Sequence, residues 1–258
     1  MTDSISLALE KGIATLALDR PEQGNTIDLP MARALLKAAL RCDEDDAIRC
    51  VVITGRGKLF CGGGDIGSFA QAGDSIGSFL SELAGTLHMA LSRFLRMGKP
   101  LVTLINGPAA GAGMSLAIAG DVAIAARSAH FTAAYGALGL SPDGGMSWRL
   151  PRLVGMRLAQ DIILTNRRVT SEEAAAIGLV SRMVEDDALT EAGAKVAAEL
   201  AAGPTAALGA ARNLLLDSFE TSLEAQLERE ARSIASLGRS AETRARVAAF
   251  LARRNAKT

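Results

Sequence analysis

The sequence predicts an α/β protein whose strand–helix alternation gives way to an all-helical tail. Three observations carry this expectation. Short apolar runs at residues 50–54 and 101–105 have the length of buried strands. Between them stand stretches with apolar residues three and four positions apart, the spacing of an amphipathic helix. From residue 188 onward that spacing continues with no further strand. With 258 residues, 49% hydrophobic and 22% charged, the chain can bury a large core and is neither mainly disordered nor fibrous.

In chain order, residues 5–9 and 13–18 read as a β-hairpin turning at Glu10-Lys11-Gly12 and ending at Arg20-Pro21. Met31, Ala34, Leu35 and Ala38 mark a helix over 29–42, which the acidic run at 43–46 is expected to end. After the strand at 50–54 come Gly62-Gly63-Gly64 and a long amphipathic helix with Ile76, Phe79, Leu80, Leu83, Leu87, Ala90, Leu91 and Phe94 on one face, stopped by Lys99-Pro100. The strand at 101–105 leads through Asn106-Gly107-Pro108 into a small-residue helix over 112–119, then strands at 122–126 and around His130 and Phe131. Beyond 179–184 four helices are expected, at 188–202, 204–218, 222–237 and 241–253. The chain thus divides into an α/β core, 1–186, and a C-terminal helical region, 187–258. The latter has no sufficient core of its own and is expected to pack on the first or on a neighbouring subunit.

Lys plus Arg and Asp plus Glu are 28 each, so no global charge footprint for nucleic acid or membrane exists, and an anionic ligand must be held by local groups. Cys42, Cys50 and Cys61 form neither a disulfide framework nor a CxxC cluster, which points to a reducing cytosol. The first twelve residues lack the basic flank and apolar core of a signal peptide, again favouring a cytoplasmic protein. The apolar stretch 101–126 is interrupted by Asn106, Pro108, four glycines and Asp121, and reads as interior strand, loop and helix, not as a membrane span. Two histidines, His88 and His130, without clustered Cys or carboxylates make no metal site. Arg244, Arg246, Arg253, Arg254 and Lys257 make the last helix basic, which helix-dipole complementation explains and a phosphate contact would also use.

Two glycine-rich loops, 60–66 and 106–113, each follow a predicted strand. Such a turn lets a ligand approach the backbone, and a helix beginning there aims free N–H groups at negative charge, so two loops could clamp one oxyanion. Glycines also serve tight turns and close packing, and either loop alone leaves both readings open. Neither is a Walker loop or a dinucleotide fingerprint, since the Gly-Lys-Ser/Thr ending and the glycine spacing are missing. Gly113-Met114-Ser115-Leu116-Ala117 superficially resembles a serine-hydrolase elbow with His88 and Asp143 as partners, but the order Ser…Asp…His is not met, and Ser115 reads as a small polar residue within a helix. Asp143, within Ser141-Pro142-Asp143-Gly144-Gly145, is either a turn or capping residue or a general base between apolar walls.

These loops and their spacing resemble the crotonase (enoyl-CoA hydratase/isomerase) superfamily. The resemblance rests on Leu18-Asp19-Arg20-Pro21 with Asn25, residues 51–55, Phe60-Cys61-Gly62-Gly63-Gly64-Asp65, residues 105–113, Asp121 and residues 150–155. It implies a spiral of ββα units with a helical trimerisation region, assembled as a homotrimer or dimer of trimers, and an acyl-CoA thioester substrate with no separate cofactor. It places the backbone N–H groups of Gly64 and Ala112 as an oxyanion hole. Gln23, Gly24 and Thr26 fall near the adenosine end of CoA, with Gly62, Asp65 and Ile66 grouped with them as CoA-binding positions. The two glutamates of the hydratases are replaced by Ser115 and Tyr135, which argues against two-glutamate hydration. Asp143 falls where several isomerases of the family place an aspartate, and residues 139–145 and 238–241 resemble in particular the ring-epoxyphenylacetyl-CoA isomerases of phenylacetate metabolism. The reading is therefore double-bond isomerisation by Asp143. The alternatives are a 4-halobenzoyl-CoA-type dehalogenase with Asp143 as nucleophile, His88 as base and Tyr135 in place of a supporting tryptophan, a non-catalytic acyl-CoA binding protein, and a serine hydrolase.

Overall fold

A computed structural model describes residues 4–255, so Lys257 and the first three residues lie outside the described part. Strands β1 (Ile5–Glu10) and β2 (Ile13–Leu18) form the expected antiparallel hairpin. Lys11 and Gly12, at φ +50° and +79°, make the two-residue turn whose twist matches the strands it joins. Helix α1 (Leu29–Glu44) is capped by Asp28, whose carboxylate accepts from the Met31 amide at 2.8 Å. It runs two residues into the acidic segment, because the Asp45 amide still bonds to Arg41 and the Lys99 ammonium donates to the carbonyls of Cys42 and Asp45, both at 2.7 Å.

After β3 (Cys50–Gly55) the expected long helix is in fact two, α2 (Ile66–Ala72) and α3 (Ile76–Arg96). Between them Gly73 at φ +50° breaks the helix, and Ile76, expected on the buried face, is exposed. Strand β4 (Leu101–Ile105) is followed by β5 (Ala109–Ala110), then α4 (Ala112–Ala117), two residues shorter than expected, then β6 (Val122–Ala126) and β7 (His130–Thr132). Helices α5 (Met146–Val154) and α6 (Met156–Thr165), strand β8 (Val169–Thr170) and helix α7 (Ser171–Ala176) were not anticipated. Within the 179–184 segment, Arg182–Val184 form strand β9. The tail comprises α8 (Leu189–Ala202), α9 (Thr205–Asp217), α10 (Leu223–Gly238) and α11 (Ala241–Asn255).

The main sheet has the order β1-β2-β3-β4-β6-β9, parallel except for the hairpin, and β5-β7-β8 form a small second sheet. Alternate residues divide the main sheet between two cores. Val51, Ile53, Leu101 and Ile105 face α1 and α3, whereas Cys50, Val52, Val102 and Leu104 face α8. A Cβ on Gly193 of α8 would lie 2.4 Å from Leu104, so the bare glycine is what lets this helix settle on the sheet. Arg212 ties α9 down: buried, it donates to the carbonyls of Phe94 and Met97 and pairs with Asp121, whose carboxylate also accepts from the Leu101 amide. Helices α10 and α11 bury no residue. Among the described residues no helix is long and apolar enough to cross a membrane.

Candidate active site

The two glycine loops meet. Gly63 accepts from the Ile27 amide at 2.7 Å and Asp65 donates to the Ile27 carbonyl at 3.0 Å, the pattern of a parallel bridge between Ile27 and Gly64. In that pattern the flanking residues make both bonds, so the N–H of Gly64 itself is turned to the opposite side. In the second loop, Ala110 donates to Cys61 and Gly111 to Thr132, both at 3.0 Å. Ala112 then opens α4, and a first-turn amide has no partner within its own helix. Side chains would not fit between the loops: a Cβ on Gly113 would sit 2.2 Å from the Cys61 carbonyl oxygen, and one on Gly63 2.7 Å from that of Ala110.

Gly64 and Ala112 line a cavity of about 450 Å³ whose wall from α3 includes Leu83 and Leu87 and which Tyr135 and Asp143 also line. Among its described lining residues Asp143 is the one carboxylate. The Tyr135 hydroxyl donates to Asp143 Oδ1 at 2.6 Å. Burial, reinforced by the Asp143 charge, pushes the Tyr135 phenol far above its ordinary value, so it remains a donor. Ala134, in the left-handed region at φ +65°, is held by its amide bond to Asn166 Oδ1 at 2.6 Å and fixes the backbone entering Tyr135. Ser115 donates to the Asp143 carbonyl at 3.0 Å and lies 3.4 Å from the Tyr135 hydroxyl. With those partners it is a buried strut behind the aspartate, and the serine-hydrolase constellation does not form.

His88 approaches from α3, its Nε2 3.7 Å from Asp143 Oδ2. The same nitrogen accepts from the Gly144 amide at 3.0 Å. A nitrogen that accepts carries no proton, so in this arrangement His88 holds the backbone after Asp143 and does not donate to its carboxylate. A second cavity of about 460 Å³ lies behind this wall, against His88, Ser115, Gly144 and Trp148.

Of the expected CoA-binding positions, Gly62 and Ile66 line the active-site cavity. Gln23, Gly24, Thr26 and Asp65 form a connected cluster beside it: the Gly62 amide donates to Gly24 at 2.9 Å, Thr26 Oγ1 lies 2.9 Å from Asp65 Oδ2, and Arg20 reaches both Gln23 and Asp65. Asp65 also caps α2 through the Ser68 amide at 2.8 Å. Burial opposes its ionisation, but the bonds from Ser68 and Thr26 and the Arg20 guanidinium together hold it below the ordinary aspartate value. Burial pushes the Cys50 and Cys61 thiols up to about 12, so neither is poised as a nucleophile. The sequence reading did not anticipate the Gly144 amide bond to His88 or the Asn166 support of Ala134. Both arise from residues in left-handed or glycine-rich turns whose partners lie 32 and 56 positions away.

Known proteins of similar sequence and fold identify the family. Residues 8–257 match the family Enoyl-CoA hydratase/isomerase. The chain is 36% identical over 263 residues to the 1,2-epoxyphenylacetyl-CoA isomerase of Escherichia coli (strain K12), covering 99% of this chain and 98% of that protein. It is 32% identical over 236 residues to 4-chlorobenzoyl coenzyme A dehalogenase-2 of Arthrobacter sp, covering 91% and 86%. A crystal structure of a putative enoyl-CoA hydratase/isomerase from Mycobacterium abscessus superimposes with a TM-score of 0.91 at 34% identity, covering 96% of each chain. The crotonase-like architecture implied by the resemblance is thereby borne out, and the chain belongs to the enoyl-CoA hydratase/isomerase family.

Proposed function

We propose that this protein is an acyl-CoA isomerase that shifts a carbon–carbon double bond by a single-carboxylate proton transfer. The observation that carries the reading is that Asp143, held by Tyr135, is the one carboxylate among the described lining residues of the cavity that Gly64 and Ala112 also line. The positions of the two hydratase glutamates, as the resemblance aligns them, hold Ser115 and Tyr135, both already engaged with Asp143. Asp143 takes a proton from the carbon between the thioester and the double bond. The electron pair of that C–H bond spreads into a dienolate, whose oxygen receives hydrogen bonds from Gly64 and Ala112, each donor worth about 3–4 kcal/mol in such a role. Asp143 then returns the proton to the far end of the conjugated system. Because Tyr135 occupies Oδ1, the carrier atom is Oδ2. The CoA portion of the substrate positions the reacting carbons, with Gln23, Gly24, Thr26, Gly62, Asp65 and Ile66 on its path.

The test is conversion of a 3-enoyl-CoA to its conjugated 2-enoyl isomer, followed by absorbance. Asp143→Asn is expected to lower kcat by about 10²–10⁴ while leaving the fold intact. Equal turnover by the two proteins, or none by the wild type, overturns the reading.

A second reading is hydrolytic dehalogenation through an aryl ester on Asp143 with His88 activating water. It is favoured by the dehalogenase relative and by His88 lying 3.7 Å from Asp143, and it requires Nε2 to give up the Gly144 amide in order to take a proton from water. Halide release from 4-halobenzoyl-CoA identifies it. The proposed assembly is a homotrimer or dimer of trimers. Supporting this are the apolar side chains left exposed on the last helices, among them Leu223, Leu227, Ile234, Phe250 and Leu251.

A further inference from the structure

The Phe69 ring lies against Gly64. A Cβ on that glycine would meet Phe69 Cζ at 2.5 Å and both Cε atoms at 3.3 Å, so the para edge of the ring lies against the Gly64 Cα, on the side where a side chain would stand. The ring is held edge-on by Phe79, with centroids 6.2 Å apart and planes at 65°. Phe79, Leu83 and Leu87 all belong to α3, the helix that brings His88 to Asp143. Phe69 lines the cavity together with Leu83, Leu87 and Asp143. No residue of helix α2 is fully buried, and Phe69 is a partly buried residue packed against the core.

We infer that Phe69 is a specificity-determining residue: it is the wall beside the carbon next to the thioester, admitting acyl groups that are unbranched or flat there and opposing those branched there. The inference rests on the reading of the Gly64 and Ala112 cradle as the thioester site. A carbonyl oxygen within hydrogen-bond distance of the Gly64 amide places its neighbouring carbon along the ring edge, and an added methyl group there meets aromatic carbon with no room to turn. One methyl group in a pocket discriminates by about 10–200-fold when it is excluded.

Binding of two saturated thioesters, butyryl-CoA and 2-methylbutyryl-CoA, tests this by calorimetry without any chemical step. The wild type is expected to prefer butyryl-CoA by about tenfold or more. Phe69→Ala is expected to bring the two affinities together chiefly by tightening the branched ligand, which a merely structural loss would not do. Phe69→Tyr, which adds a hydroxyl at the atom already touching Gly64, is expected to weaken both ligands. An unchanged preference in Phe69→Ala, with butyryl-CoA still bound, overturns the inference and leaves the isomerase reading standing. Failure of the wild type to bind either thioester overturns the cradle reading and the inference together. If the wild type binds both but does not isomerise 3-enoyl-CoA, only the isomerase reading falls. Thermal unfolding of both variants at the wild-type temperature excludes a folding defect.

Discussion

At the residue scale, the site depends on a carboxylate whose two oxygens are treated differently. Tyr135 donates to one, while the other faces His88 without receiving its proton. Tyr135→Phe removes a hydrogen bond to a charged group, worth roughly 1.5–3 kcal/mol. The expected outcome is a fall of about ten- to a hundredfold in kcat/KM for 3-enoyl-CoA isomerisation, with a lowered thermal transition, measured by absorbance and calorimetry. Asp65 acts on stability. Its folded-state pKa lies below the unfolded value, so its ionised form stabilises the fold at pH above that unfolded value, about 3.9, and the contribution is lost as pH falls through the folded value. Asp65→Ala also loses the cap of α2 and is expected to cost about 1–2 kcal/mol at pH 7. Urea titrations should show the gap between wild type and variant narrowing below about pH 4.

At the scale of elements, the sheet places both loops and the helices place the carboxylate. β3 and β4 are parallel neighbours, so the loops that follow them emerge at the same edge, and Cys61 pairs with Ala109. The joint between tail and core is Arg212, buried among the carbonyls that end α3 and against Asp121. Replacing it with Leu leaves the Phe94 and Met97 carbonyls without their charged donor and the partly exposed Asp121 without its cation, and a hydrogen bond to a charged group is worth about 1.5–3 kcal/mol. Arg212→Leu is therefore expected to lower the urea midpoint markedly, and Arg212→Lys, which keeps the charge but not the fork, to recover only part of it.

At the scale of the whole molecule, α10 and α11 bury nothing within the chain while carrying leucine, isoleucine and phenylalanine in the open. Large apolar surfaces of this kind are covered by association. Light scattering coupled to gel filtration is expected to give three or six times the 26.7 kDa chain mass. Phe250→Asp with Leu227→Asp should reduce it, and a monomeric mass for the unmodified protein would refute the assembly.

The sequence by itself determined the hairpin, the buried strands and the tail helices, because strand and helix periods are written in consecutive residues. Val51 and Ile53 go to one core and Cys50 and Val52 to the other, as alternation requires. It also marked the glycines that allow the two loops to touch, and the resemblance singled out Asp143. Helices α5 to α7 escaped notice because α5 begins after two left-handed glycines and contains Pro151, and α7 is only six residues long. Only the tertiary structure decided the site's electrostatics. The pairing of Tyr135 with Asp143 depends on Ala134 being held in a left-handed conformation by Asn166, 32 residues away, and the His88–Gly144 bond joins residues 56 apart. Phe69 on Gly64, by contrast, is a local contact: the Phe69 amide bonds to the Asp65 carbonyl in the first turn of α2, and the ring reaches back to the preceding loop. Periodic burial is a local property that a sequence carries openly, whereas a cavity is made by segments distant in the chain, and its chemistry appears only when their approach is known.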